Sequence, residues 1–328
     1  MVLCSKKVKH FDAAAGCASK CAMLDANILA EPLAGLQAQA VGLAEAAGLV
    51  PRVHALHPRA PWRWMSARFW PAPLRAVGLP RLSGPVIAAG GTAAVVAAAL
   101  RQPGTPAIQV QHPRFDPQRF DLIVVNRHDG LTGRNVVVTR TALHRVTPAR
   151  LAEAREAWAP RLAHLPRPLV AVLLGGSNGR YRLDAATAKT LGAQLAAMMR
   201  ADRAGLAVTP SRRTAPEALA ALRAEVAPLG GWVWDGAGEN PYFGLLALAD
   251  AIVVTEDSVS MVSEAVATPA PVFLARLPGR SRRIALFNRL LAEDGRVRDF
   301  AGRLDLWPVS PIDDTPEAGA AVRRLLGL

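Results

Sequence analysis

Residues Ala251–Glu264 read AIVVTEDSVSMVSE, and this stretch decides the fold. AIVVT is an apolar run with no polar alternation, the pattern of a strand buried on both faces. Acidic and hydroxyl residues follow at once, and Asp257 or Ser258 stands where it would cap a helix over Ser258–Ala267. A strand running through a capped turn into a helix is the unit of a parallel sheet covered by helices. Open sheets of this kind place ligands at the carboxyl ends of their strands. Helix amino ends favour anions through unpaired N–H groups and the helix dipole. Ser260 and Glu264 are four residues apart and share a helix face, where Glu264 would accept hydrogen bonds from ribose or sugar hydroxyls. Ordinary capping and a solvated carboxylate explain the same residues without a ligand.

The same alternation extends in both directions. Strands are predicted at Asn27–Ala30, Val53–Leu56, Val86–Ala89, Ile108–Val110, Leu122–Val125 and Asn135–Val138. A helix over Pro148–Ala163 ends in Pro166-Arg-Pro168, a stiff break suited to a domain boundary. The pattern then restarts with strands at Leu169–Leu174, Leu206–Thr209, Gly231–Trp234 and Val272–Ala275, and the chain closes on a helix over Thr315–Leu326. The expected architecture is α/β, with two Rossmann-like domains facing across a cleft. Residues 23–165 are the expected N-terminal domain and residues 166–328 the nucleotide-binding C-terminal domain. Residues 1–22 read as a disordered tail or a misassigned start. They hold all three cysteines and lack the continuous apolar core of a signal peptide. Cys4, His10, Cys17 and Cys21 fit no zinc spacing, so no metal is expected.

At 328 residues, 51% hydrophobic and 20% charged, the chain has material for a sizeable core. The net charge of +13 favours acidic partners such as nucleotide phosphates or an anionic membrane surface. Cations comprise 34 arginines against five lysines, a bias that a GC-rich coding sequence produces without selection for binding. No motif of a nucleic-acid reader appears, so no specific nucleic-acid partner is expected. No apolar run reaches the length of a membrane span, and the expected location is cytoplasmic, at the periphery of the inner membrane.

Further candidates follow other strands. Gly175-Gly-Ser-Asn178 is a small-residue turn in which Gly175, Gly176, Ser177 and Asn178 would let backbone N–H groups approach a phosphate; a plain tight turn explains it equally. It carries neither a full dinucleotide fingerprint nor the P-loop lysine, and no cofactor is expected. Arg212 and Arg213 offer guanidinium forks for a diphosphate. Asn240 begins a short helix that would line a base or sugar pocket. His112, His128 and Asp129 are the acid/base candidates, because histidine titrates near neutrality and a carboxylate can orient it. Trp62, Trp64, Phe69 and Trp70 are interleaved with Arg63 and Arg68, a composition suited to a membrane interface, an acceptor cleft or a satellite core.

FDLIVVNRHD (Phe120–Asp129), ALHRVT (Ala142–Thr147), TPSRRT (Thr209–Thr214) and NPYFGLL (Asn240–Leu246), with the stretch quoted first, resemble the "elongated mitochondria" fission-factor family. The resemblance covers nearly everything after about residue 25. It implies a GT-B-like fold and, for bacterial members, a nucleotide-sugar-using, glycosyltransferase-like protein. Gly175–Asn178, Arg212, Arg213, Ser258, Ser260 and Glu264 would then line the donor site. The family's first loop has the form Asp-Gly-x-x-Gly-x-x-x-Gln. Here Gly35 and Gln39 stand in their places, but Glu31 and Pro32 replace the Asp and Gly.

Two functions are expected from this. One is metal-independent sugar transfer from a nucleotide diphosphate donor to an envelope-related acceptor. The other is a non-catalytic, membrane-peripheral recruitment or sensing protein with a vestigial donor site, the role the plant member implies.

Overall fold

The computed structural model describes residues 24–328. The expectations for residues 1–22, with Cys4, His10, Cys17 and Cys21, fall outside the described residues.

The first lobe is built from β1 (Asp25–Ala30), α1 (Ala34–Ala46), β2 (Val50–Ala55), α2 (Pro73–Val77), β3 (Val86–Ala89), α3 (Gly91–Leu100), β4 (Ala107–Val110), β5 (Leu122–Asn126) and β6 (Val136–Thr139). Then come α4 (Pro148–Leu162), β7 (Leu169–Leu174), α5 (Ala185–Asp202), β8 (Gly205–Pro210), α6 (Pro216–Val226), β9 (Trp232–Val233) and α7 (Tyr242–Leu248). The chain continues through β10 (Ala251–Thr255), α8 (Val259–Val266), β11 (Val272–Ala275), α9 (Arg282–Glu293), β12 (Val297–Asp299) and α10 (Thr315–Leu326). All strand pairs are parallel, in two six-stranded sheets ordered β2-β1-β3-β4-β5-β6 and β12-β11-β10-β7-β8-β9.

Each sheet is apolar on both faces because helices cover both. Along β7, Leu169, Ala171 and Leu173 enter one core while Val170, Val172 and Leu174 enter the other. That is the two-residue period of a strand, here with nothing polar on either side. β12 was not anticipated. It is a three-residue edge strand with Arg298 and Asp299 exposed, too short and too polar to show as an apolar run.

Strand order reverses between β1 and β3 in one sheet and between β7 and β10 in the other. At such a switch point the following helices diverge to opposite faces and leave a crevice at the carboxyl ends of the strands. Two helices cross between the lobes. α4 packs Trp158 and Leu162 into the second lobe beside Leu245 and Leu246, with Gly244 pressed against the Trp158 ring. α10 returns to the first lobe, where Ala318, Ala321 and Val322 meet Ala40 and Leu43 of α1 and Ala47 just beyond its end. Between these crossings the Ala142 amide donates to Ser263 Oγ of α8 at 2.9 Å, and the Arg140 guanidinium pairs with Asp314. The lobes are thereby fixed face to face. Among the described residues, no helix is long and apolar enough to cross a membrane.

Candidate functional site

The residues just after β10 anchor α8 before any ligand is considered. The Glu256 carboxylate accepts from the Leu277 amide at 2.9 Å and from Arg276 at 2.8 Å. The Asp257 side chain is fully enclosed and accepts from the Thr255 hydroxyl at 2.7 Å, the Gly176 amide at 3.3 Å and Arg213 at 2.9 Å. Ser258 caps the helix by accepting from the Met261 amide. At the other end the buried Arg296 donates to the carbonyls of Val266, Thr268 and Ala270. The helix is held at both ends, so its direction is set.

Its amino end points at the other lobe. Gln39 of α1 donates to Ser260 Oγ at 3.3 Å, and Gln111 donates to Gln39 at 3.2 Å. A Cβ on Gly35 would stand 3.0 Å from Ser260 Oγ, so a glycine there lets α1 approach α8. The starts of α1 and α8, which follow the two switch-point strands, therefore meet, and the fold brings Gly35 and Gln39 to Ser260 from more than 200 residues away.

One turn deeper, the Tyr242 hydroxyl donates to the Glu264 carboxylate. Enclosure of that carboxyl raises its pKa to about 7, against the opposing pull of the Tyr242 hydrogen bond. Burial next to the carboxylate also holds the Tyr242 phenol well above its ordinary value. Asn240 Oδ1 accepts from the Tyr242 amide at 3.0 Å, so Asn240, Tyr242 and Glu264 form one linked group. Tyr242 as the partner of Glu264 was not legible from sequence, because the two are joined only by the packing of α7 on α8.

The glycine turn after β7 is tied to protein acceptors. The Gly175 amide donates to Thr255 Oγ1 at 2.7 Å and the Gly176 amide to Asp257. A Cβ on Gly175 would sit 2.1 Å from Asp257 Oδ1, and one on Gly176 would sit 2.2 Å from the Arg213 carbonyl oxygen. The close backbone approach that these glycines allow is to their own protein. Ser177 Oγ accepts from the Leu183 amide, and Asn178 Oδ1 from the amides of Arg180 and Tyr181. Arg213 is engaged by Asp257, while Arg212 is exposed and makes no ion pair among the described residues.

In the first lobe, Glu31 accepts from the Thr92 amide at 3.2 Å and so serves the amino end of α3. His112 Nδ1 accepts from the Arg114 amide at 2.9 Å. The neutral ring then carries its proton on Nε2 and presents a donor outward. His128 and Asp129 lie elsewhere, in the contact between lobes. The His128 ring is buried edge-on against Phe287 of α9, at 5.3 Å between centroids, and among the described residues neither nitrogen has a hydrogen-bond partner. Burial lowers its pKa to about 4. Asp129 pairs with Arg283 at 2.8 Å and neighbouring Arg127 with Asp294, both partners on or beside α9. His128 Nε2 stands 3.9 Å from Asp129 Oδ1 inside this interface, beyond hydrogen-bond distance, so the expected acid/base pair is not a bonded one.

A cavity of about 590 Å³ opens between the lobes, lined by Arg114, Arg180, Arg280, Ser281, Arg282, Arg283 and Ile284. A second hollow of about 420 Å³ adjoins it through Arg180 and reaches Asn178 and Tyr181. Sequence reasoning missed the five-arginine cavity, since its residues come from separate loops and each looks like a surface cation.

The aromatic segment after β2 divides. Trp70 is buried and Trp62 packs on the core, whereas Trp64 is 70% exposed, Phe69 61% and Met65 45%. Arg63 lies over the Trp64 ring and Arg68 over Phe69.

A family model described as mitochondrial fission ELM1 matches residues 34–326. A mitochondrial fission protein ELM1 of Arabidopsis thaliana is 34% identical over 271 residues, covering 74% of this chain and 63% of the plant protein. The match thus spans less than two thirds of that relative. Among solved structures, the Methanocaldococcus jannaschii UDP-GlcNAc 2-epimerase in complex with UDP-GlcNAc and UDP has a TM-score of 0.53 at 11% identity, covering 93% of this chain and all of that one. The S. aureus MnaA–UDP structure has a TM-score of 0.51 at 11% identity, covering 93% of this chain and 98% of that one. At such identities the likeness shows the fold, two Rossmann-like domains across a cleft in the GT-B-like manner.

Proposed function

The chain belongs to the mitochondrial fission ELM1 family, and from that premise and the geometry of the cleft we propose that it binds a nucleoside diphosphate or nucleotide sugar between its lobes. The observation that carries this is the meeting of Ser260 with Gln39, which aims the amino end of α8 into the crevice at both switch points. Glu264 stands one turn deeper on the same face of α8, hydrogen-bonded by Tyr242 of α7, and suits the hydroxyls of a ribose. Two proteins of similar fold are described as complexes with UDP or UDP-GlcNAc, which supports the nucleotide class.

The reaction we assign is transfer of the sugar to an envelope-related hydroxyl acceptor. The acceptor oxygen bonds to the anomeric carbon as the bond from that carbon to the diphosphate breaks. The acceptor proton passes to a base of the first lobe, and the nucleoside diphosphate leaves. Helix amides and guanidinium groups meet the charge on the leaving diphosphate, which makes the scheme metal-independent. His112, beside the arginine cavity, is the acid/base candidate best placed to act, after a shift of its proton from Nε2.

A second reading has its own observation. The Gly175 and Gly176 amides and Arg213 are taken by Thr255 and Asp257, which suits a donor site reduced to sensing. It also agrees with docking at a membrane. Residues 46–115 hold eight arginines and no acidic residue, and Trp64, Met65 and Phe69 project from that stretch.

Calorimetric titration with UDP, GDP, ADP and their common sugar conjugates tests the reading. Saturable binding that Glu264→Ala abolishes is the expected result; no binding to any of them overturns it. Binding without sugar release to lipid or saccharide acceptors favours the sensor.

A further inference from the structure

The five-arginine cavity is left over from the nucleotide reading. None of the residues assigned to the nucleotide lines it, and only the adjoining hollow reaches one of them, Asn178. Both lobes build it. Arg114 comes from the loop after β4, Arg180 from the loop after β7, and Arg280 to Arg283 from the loop after β11 and the first turn of α9. Only Arg283 has a carboxylate partner, Asp129; among the described residues Arg114, Arg180, Arg280 and Arg282 make no ion pair. Four uncompensated like charges facing one space repel each other, and an anion in that space relieves the repulsion.

The backbones that carry these arginines are held in place. The Arg280 amide donates to the Arg180 carbonyl and the Arg182 amide to the Pro278 carbonyl, each at 2.9 Å, which joins the loops above β10. Gly279 makes that junction possible. It has φ 140°, and a Cβ on it would fall 2.2 Å from the Arg180 carbonyl oxygen. Arg114 has φ 68°, a conformation an L residue rarely adopts, secured by the hydrogen bond of its amide to His112.

We propose that this cavity is a second anion subsite that takes the phosphate or diphosphate ester of the substrate facing the nucleotide. Guanidinium forks match phosphate oxygens in bidentate pairs, and four free cations exceed what a single carboxylate neutralises. The space exceeds that of an inorganic phosphate and has room for part of the group the phosphate is attached to. Naming that substrate as the acceptor rests on the nucleotide-sugar reading, whereas the anion subsite stands on the cavity alone.

Titration of the full chain with inorganic pyrophosphate at physiological salt, with and without saturating UDP, tests it. Pyrophosphate is expected to bind in both cases. The double variant Arg114→Ala/Arg282→Ala, altering two side chains on the cavity wall, is expected to weaken pyrophosphate by at least about tenfold and UDP by less than about threefold. Arg200→Ala, an exposed arginine of α5, is expected to change neither. Pyrophosphate that competes with UDP and is lost in Glu264→Ala, or that binds the double variant unchanged, overturns the proposal. If UDP does not bind at all but pyrophosphate binds through the arginines, the nucleotide reading falls and the subsite stands. Glucose 1-phosphate and dihexanoyl phosphatidic acid then compete against pyrophosphate: displacement by the first indicates a sugar phosphate, by the second a lipid phosphate, and by neither overturns the assignment to a phosphate ester.

Discussion

Gln39 Nε2 lies 3.3 Å from Ser260 Oγ, joining α1 of one lobe to the amino end of α8 in the other. Gln39 is itself held by Gln111, so residues of α1, α8 and the loop after β4 form a relay across the crevice. Gln39→Leu removes the relay while keeping a side chain of similar size. A hydrogen bond of this kind is worth about 1 kcal/mol, so unfolding free energy is expected to fall by about that much, and UDP affinity by up to roughly fivefold by calorimetry if the crevice binds the nucleotide. Gly35→Val is expected to do more, because its Cβ starts 3.0 Å from Ser260 Oγ and its methyl groups must push the helices apart. An affinity unchanged in both variants would remove the crevice from nucleotide binding.

Glu264 predicts a pH dependence near neutrality. Its folded pKa of about 7 lies above the ordinary 4.5 because the carboxyl is enclosed. If the ionised form accepts ribose hydrogen bonds, UDP affinity rises with pH through about 7, and Glu264→Gln flattens that profile. Tyr242→Phe removes a donor that favours the carboxylate and is expected to move the midpoint higher. Stability runs the other way. Between about 4.5 and 7 the folded chain keeps a proton that the unfolded chain releases, so this group's contribution falls as pH rises through that window.

His128 has the opposite sign. Its folded pKa of about 4 lies below the ordinary 6.5, so the unfolded chain binds a proton that the folded chain refuses. The stability lost on acidification from 6.5 to 4 amounts to roughly 3 kcal/mol at the limit. His128→Phe keeps an aromatic ring against Phe287 and carries no titrating group. Its urea midpoint is expected to change less between pH 7 and pH 5 than that of the parent chain. An equal change in both would place the acid sensitivity elsewhere.

How far the sequence discloses this site depends on distance along the chain. The Ser260–Glu264 face was legible because an i,i+4 spacing on a capped helix needs no tertiary information. The glycine turn was half legible. Its need for glycine was evident, but the acceptors that take its amides, Thr255 and Asp257, lie some 80 residues away and are set by the pairing of β7 with β10. His128-Asp129 had the look of an acid/base pair after a strand, and only the docking of α9 reveals that both are covered. The arginine cavity has no local signature, since it exists only once three separate stretches of chain converge.

The exposed aromatics predict a membrane response. Trp64 and Phe69 stand in solvent beneath Arg63 and Arg68, so Trp64→Ala/Phe69→Ala removes little core packing and is expected to leave the unfolding midpoint unchanged. Sedimentation with vesicles containing phosphatidylserine is expected to fall by about tenfold, as the lost apolar contact is worth more than 1 kcal/mol. Retention of full vesicle binding would assign the two rings to a protein or acceptor contact.

Arg296 is where fold and site are joined most directly. Among the described residues it has no carboxylate partner, and burial lowers its pKa to about 10, so at neutral pH it remains a cation. Its donors go to the carbonyls of Val266, Thr268 and Ala270 at and just beyond the carboxyl end of α8; the Val266 carbonyl also accepts from the Ile312 amide at 2.9 Å. A cation there also complements the negative end of the helix dipole. Arg296→Met keeps volume but leaves the Thr268 and Ala270 carbonyls without donors, the Val266 carbonyl keeping the Ile312 amide, and it is expected to cost roughly 2–5 kcal/mol in urea unfolding. Arg296→Lys keeps the charge but reaches fewer carbonyls, so it should recover only part of that loss. If the arginine acts only on stability, UDP affinity of the folded variant is unchanged; if it also sets the direction of α8, affinity drops in step with the loss of the carbonyl bonds, and Lys restores some of each.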